Sequence, residues 1–160
     1  MKVALTEMSD LDYKAFQHIS VPSYAIEKVR NFDWPEEGAL ERSQETYENL
    51  LPDGLQTKDH FVRNIMNGDQ KAGFVWFAVQ KNHLYIYDIR VLDHLQNQGI
   101  GKEVMNLLNE EGKLLGVENI KLHVFGFNKR AFKFYERVGF EITSYTMNQV
   151  IDDSETPQLS

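Results

Sequence analysis

YIYDIRVLDHLQNQGIGK, residues Tyr85 to Lys102, carries an apolar strand into a loop with Gln96, Gly99 and Gly101 in the pattern Gln-x-x-Gly-x-Gly, and then into a helix. A helix that starts straight after such a loop leaves its first backbone N–H groups unpaired and pointing the same way, which suits a phosphate. The glycines matter because a Cβ would keep a pyrophosphate from the main chain, and the helix dipole favours the anion. Glycines placed only for their backbone angles are the alternative reading. Two common phosphate signatures fail on the letters. A dinucleotide fingerprint needs Gly or Ala where Val104 stands, and a Walker loop needs Ser or Thr where Glu103 follows Lys102.

Outward from this stretch, three β runs lie in series, Phe61 to Met66, Gly73 to Val79 and Leu84 to Val91. Turns at Asn67-Gly68-Asp69 and Lys81-Asn82 predict an antiparallel meander. Ahead of it come a short strand at Val3 to Leu5, Ser9 as an N-cap, and a helix with Leu11, Ala15, Phe16 and Ile19 on one side. Pro22 is read as the start of a further helical turn. The helical, acidic pattern then runs to about Leu51, broken from Asn31 to Pro35 and closed by Pro52-Asp53-Gly54. After the loop, Ile100, Val104, Leu107, Leu108, Leu114 and Leu115 follow helical spacing up to Gly116. A strand from Ile120 to Val124, a helix from Lys129 to Arg137 stopped by Gly139, and a strand from Phe140 into Val150 complete the expected order. The chain of 160 residues is expected to form one domain over residues 1–150 with a polar tail over 151–160.

The absence of Cys excludes disulfide scaffolds, Cys-ligated zinc, iron–sulfur clusters and thiol nucleophiles. The histidines, His18, His60, His83, His94 and His123, lack ligand spacing, so no metal site is expected. Net charge is −7 and unevenly spread. Residues 1–60 hold 6 basic and 12 acidic side chains, whereas 119–137 hold Lys121, Lys129, Arg130, Lys133 and Arg137 against Glu136 alone. An acidic surface opposes nucleic-acid binding, while the basic cluster suits a small polyanion or is simply the solvated face of a helix. No apolar run approaches the roughly 20 residues of a membrane span. Glu7, Asp10 and Asp12 interrupt the start in a way a signal peptide does not, so the cytoplasm is the expected compartment and no membrane partner is expected.

A second constellation, NKRAFKFYERVGF from Asn128 to Phe140, follows the loop after a helix and a strand. Together the two segments resemble the GNAT superfamily of N-acetyltransferases. That family joins a Gln/Arg-x-x-Gly-x-Gly/Ala loop to a later Asn-x-x-Ala-x-x-Phe-Tyr-Glu-x-x-Gly-Phe segment. The resemblance extends from about Val3 to Val150, more weakly before Gly73, and the segments around Tyr24 and Leu50 to Thr57 look like an uncharacterised bacterial subgroup. It implies an α/β fold with a mixed, mostly antiparallel twisted sheet flanked by helices, and a V-shaped splay between strands 4 and 5.

The resemblance also implies roles. Acetyl-CoA would lie in the splay as cosubstrate, its pantetheine amides on the main chain near Ile89 and Val91. Its pyrophosphate would meet backbone N–H groups of Gln98, Gly99, Gly101 and Lys102, with Gln96 bracing the loop and Asn128 and Lys129 facing the cofactor from the next helix. Tyr135, the Tyr of Phe-Tyr-Glu, would act as general acid toward the leaving thiolate, and a strand N–H near Ile89 would hold the oxyanion. The family's Glu near the start of the fourth strand is Tyr85 here, so that base does not carry over. Asp88 is the substitute, as base or substrate anchor, with His60 second. The acidic, aromatic first half, with Glu36, Glu37, Glu41, Glu45 and Glu48 among Tyr24, Trp34 and Tyr47, would suit an amine if it is more than helix solvation.

The expected activity is therefore direct acetyl transfer to a primary amine of a small molecule or protein, without metal. Two alternatives stay open at this stage, an acetyl-CoA sensor with weak catalysis and a transferase for a longer acyl-CoA. The resemblance is also compatible with a homodimer.

Overall fold

A computed structural model describes residues 2–152. Along the chain come β1 (Val3–Glu7), α1 (Asp10–Arg30), α2 (Ala39–Leu50), β2 (His60–Asn67), β3 (Gln70–Gln80), β4 (His83–Val91), α3 (Ile100–Leu115), β5 (Asn119–Leu122) and α4 (Lys129–Arg137). The strands form a sheet in the order β1-β2-β3-β4-β5, antiparallel except for the parallel β4–β5 pair. This is the mixed, mostly antiparallel α/β architecture that the resemblance implies.

Alternation along β3 builds both halves of the core. Val75 and Phe77 face one side, where Ile65, Leu84 and Ile86 meet Ile100, Val104, Met105 and Leu108 of α3. Phe74 and Trp76 face the other, where Val62 meets Phe16 of α1 and Tyr47 of α2. Burying each of these large side chains contributes roughly 1.5–3 kcal/mol, so β3 anchors helices on both faces. Phe16 meets Phe74 edge to face at 5.0 Å and fixes how α1 lies on the sheet.

Ser9 caps α1 as expected. Its Oγ accepts from the Asp12 N–H, and the Asp12 carboxylate accepts from the Ser9 N–H, both at 3.1 Å. Pro22 lies inside α1, which runs through to Arg30, and so does not start a new helical segment. The fully buried Ser43 donates to the Val21 carbonyl at 2.7 Å and ties α2 to α1 there.

Gly73 lies where β2, β3 and β4 pack side by side, opposite Ile65 and Val91. A Cβ there would stand 1.9 Å from the carbonyl oxygen of Arg90. Because neither backbone can yield cheaply, Gly73→Ala is expected to lower stability by about 2 kcal/mol. The check is the urea midpoint at unchanged m-value.

Two strand expectations are corrected. β5 ends at Leu122, short of Val124, because β4 turns away beyond Ile86 and leaves His123 and Val124 without a partner. The strand from Phe140 into Val150 is not formed; residues 141–150 are exposed and, among the described residues, have no sheet neighbour. The polar tail expected over 151–160 lies, from residue 153 on, outside the described residues. Among the described residues no helix is long and apolar enough to cross a membrane.

Candidate active site

The site begins at an irregularity in β4. Trp76 pairs with Asp88 and Phe77 with Ile86, so Tyr87 is an extra residue with no opposite number on β3. Such a bulge bends the strand. β4 pairs with β5 only from His83 to Ile86, and beyond that the two diverge, leaving the edge from Tyr87 to Val91 open. Leu92 donates to Ala72 across β3 at 2.8 Å. By the alternation of a strand, the main-chain groups of Ile89 and Val91 therefore point to the open edge. The Val91 carbonyl is already engaged, accepting from Gln96 Nε2 at 2.9 Å, and the same amide donates to Asp93 Oδ1 at 3.2 Å.

A cleft of about 1290 Å³ occupies this splay and runs from the loop at Gln96 to α1. At the loop end, Asn97 and Gly99 take positive φ of 63° and 84°, and among the described residues no side chain caps α3. The first intrahelical bond is Glu103 N–H to the Gly99 carbonyl. Among the described residues, the six N–H groups from Asn97 to Lys102 therefore have no hydrogen-bond partner. That is a concentrated anion cradle at the positive end of a 16-residue helix.

The residues expected at this end divide. Gln96, Gly99, Gly101, Lys102 and Asn128 line the cleft. The Gln98 side chain does not; it donates to the His94 carbonyl at 3.3 Å, and only its main chain belongs to the loop. Lys129 is exposed outside the wall, where Arg130 and Arg137 stand instead. Asn128 caps α4, its Oδ1 accepting from the Ala131 N–H at 3.2 Å. Gly101 has a packing reason for its small size, since a Cβ would lie 3.0 Å from the Phe134 ring.

At the centre are Tyr135 and Asp88, both in the cleft wall. Tyr135 is wedged between Phe134 and Phe140, with ring centres at 5.4 and 5.6 Å. Burial, with the Asp88 charge added, pushes its phenol up to about 12. Asp88 Oδ2 accepts from Ser20 Oγ at 2.8 Å. Burial raises the Asp88 carboxyl, opposed by the Ser20 bond, the charge of Arg90 and the Ile89 N–H. The same N–H that faces the open edge thus also leans on Asp88.

The α1 end is lined by Tyr24, Tyr47, Trp76, Tyr85 and Tyr87 with Glu27. Burial and the Asp88 charge raise the Glu27 carboxyl, while Arg90 opposes. Burial also drives the Tyr47 phenol far above its usual range. The buried Arg90 Nε has no hydrogen-bond partner among the described residues. The α2 carboxylates read from the sequence, Glu36, Glu37, Glu41, Glu45 and Glu48, are exposed and outside this wall, so Glu27 and Asp33 take their place. Tyr24 and Glu27, three apart on one helix face, were the available signal. His60 is also outside the wall: its Nδ1 accepts from Trp76 Nε1 at 3.0 Å, its ring stacks on Tyr87 at 5.5 Å, and burial lowers its pKa. Among the described residues no group of three or more His, Asp or Glu could hold a metal ion.

Comparison with known proteins gives a consistent result. The model of the acetyltransferase (GNAT) family matches residues 23–140. The uncharacterized N-acetyltransferases YdgE and YycN of Bacillus subtilis (strain 168) are 28% and 29% identical over 154 residues. Each alignment covers 93% of this chain, with 98% of YdgE and 99% of YycN. The crystal structure of YycN superposes with a TM-score of 0.89 at 27% identity, covering 95% of this chain and 100% of that one. The PaiA N-acetyltransferase of Thermoplasma acidophilum, crystallised with coenzyme A, superposes at 0.69 and 18% identity over 91% of this chain and 94% of that one, a likeness of fold.

Proposed function

Because the chain belongs to the acetyltransferase (GNAT) family, we propose that it binds acetyl-CoA in the splay and transfers the acetyl group directly to a primary amine entering from the α1 end. The observation that carries this reading is the run of six unpartnered N–H groups at Asn97 to Lys102, continuous with the open β4 edge. A pyrophosphate fits the first and the amides of an extended pantetheine fit the second. Lys102, Arg130 and Arg137 supply positive charge to the wall of the same cleft.

In this reading the chain contributes positions and protons. The N–H groups of Ile89 and Val91 orient the extended arm, and the Ile89 N–H is also the donor available to the thioester oxygen as it gains charge. The Tyr135 phenol, held up to about 12, keeps its proton at neutral pH and can deliver it to the sulfur that leaves. Asp88 takes the proton of the attacking amine or anchors that amine. Glu27 and the ring of tyrosines favour a substrate that arrives as a cation and loses its proton only inside.

The test is thiol release from acetyl-CoA against a panel of amines, with CoA binding followed calorimetrically in the same preparation. Turnover on one amine class supports the reading. Binding without turnover on any amine turns it toward a sensor or a longer acyl donor, and no binding overturns it.

Asp88→Asn separates the two roles of that carboxylate. A base works only when deprotonated, and the Asp88 pKa is raised. The acid limb of kcat/KM should therefore lie above the ordinary carboxylate range and vanish in the variant, with a loss of about 10²-fold. A uniform loss with the limb retained would assign anchoring.

A further inference from the structure

Arg90 lines the cleft with its charge unspent. Among the described residues its side chain makes no hydrogen bond and no ion pair, and its Nε is buried without an acceptor. Arg63 of β2 shows the contrast, since its guanidinium pairs with Glu111 at 3.4 Å. A buried donor left unused costs free energy, and in a cleft wall the missing acceptor can arrive with a ligand.

The position of Arg90 narrows what that acceptor is. Arg90 pairs with Phe74 of β3, which packs on Phe16 of α1, so it shares the α1 face of β4 with Asp88. Two residues along a strand separate them by about 7 Å. The other cations of the wall are placed differently. Lys102 belongs to α3, Arg130 and Arg137 belong to α4, and Lys28 of α1 is held by Asp33 at 3.4 Å. Near Arg90 stand Asp88 and Glu27, and its charge acts on both without an ion pair. Two carboxylates and one guanidinium leave one negative charge in excess. A ligand that answers all three carries two ammonium groups and one carboxylate.

We propose that the acceptor is a free basic amino acid, whose carboxylate is held by Arg90 while its two amines meet Asp88 and Glu27. A planar guanidinium matches a carboxylate through two parallel hydrogen bonds. The amine beside Asp88 is the one acetylated, because the Ile89 N–H adjoins it. Its N–C bond forms as the thioester C–S bond breaks; the neutral amine loses a proton and the departing sulfur gains one. A polyamine offers the same amines without the carboxylate, and a lysine within a protein has its carboxyl spent in a peptide bond. The inference rests on acetyl transfer in this cleft and adds the class of acceptor.

Diaminobutyrate, ornithine and lysine, each beside its carboxamide and its decarboxylated diamine, present matched amines with and without the carboxylate. For the best of the three acids, kcat/KM is expected to exceed that of its amide and its diamine at least about 30-fold. Arg90→Gln should collapse this preference to within about threefold by raising KM for the acid, and Arg90→Lys should restore part of it. The wild-type comparison stands whether or not the variants fold. Calorimetric binding of the same compounds to the CoA-loaded protein reads the preference without turnover, which separates failure of transfer from failure of the carboxylate subsite. Equal use or equal binding of acid, amide and diamine would overturn the proposal, as would binding of none of them. A folded Arg90→Gln protein that keeps the preference would do the same, and so would one that loses CoA affinity instead, which assigns Arg90 to the cofactor.

Discussion

Tyr135→Phe is expected to lower kcat about 10³-fold while the affinity for CoA stays within about twofold. The phenyl ring keeps the contacts with Phe134 and Phe140, so the cleft wall survives. What disappears is one proton at the centre of the cleft. The wild-type phenol sits near 12, raised by burial and by Asp88. An acid must be protonated to act, so its activity is lost only as pH rises through about 12, and between pH 6 and 10 this group produces no alkaline limb. An alkaline limb near 8 to 9 that vanished in the variant would contradict this assignment. Steady-state rates on an amine substrate with calorimetric CoA titration decide it; unchanged kcat would remove Tyr135 as the acid.

Gly99→Val is expected to weaken CoA binding at least about 100-fold, near 2.7 kcal/mol. Two effects combine. Gly99 adopts φ 84°, a left-handed conformation that a β-branched residue resists. Forcing it out reorients the N–H groups that follow, and the new side chain also occupies the approach to them. Gly99→Asn provides the control, because Asn tolerates this conformation, and most of the affinity should return. Both variants should melt near the wild type, since Gly99 itself is exposed and belongs to neither core cluster. Intact binding by Gly99→Val would remove the phosphate role from this loop.

Much of this was readable from the letters, for definite reasons. The meander followed from alternation and from Asn-Gly-Asp and Lys-Asn turns. The ends of α3 followed from Gly99 and Gly116, and the stop of α4 from Gly139. These signals are local, and local chemistry decided them. Pro22 misled because α1 gains enough from Phe16 and Ser20 buried on the sheet side to carry one proline. The strand at Phe140 to Val150 misled for the opposite reason: propensity says what a segment can become, and pairing needs a neighbour that a single chain does not present. Among the cleft-lining residues, Gln96, Gly99, Gly101 and Lys102 were readable from the loop pattern, whereas Glu27 and Arg90 were not. Their place depends on how α1 crosses β4, which no spacing within either element encodes. Asp88 was found, but its bond to Ser20, 68 positions away, was not legible.

The bulge at Tyr87 has a consequence of parity. Before it, the even positions of β4, Leu84 and Ile86, face α3; after it, the odd positions, Ile89 and Val91, do. One added residue reverses the phase of the strand and delivers Asp88 and Arg90 to the side of α1. Were Tyr87 taken into regular pairing instead, Asp88 and Arg90 would turn into the hydrocarbon beneath α3 and Ile89 and Val91 out of it, whereas excising Tyr87 keeps every face and removes only the bend. The polarity of the cleft is thus set by an integer, and single-residue deletions in β4 away from the bulge should be far less tolerated than substitutions at the same positions.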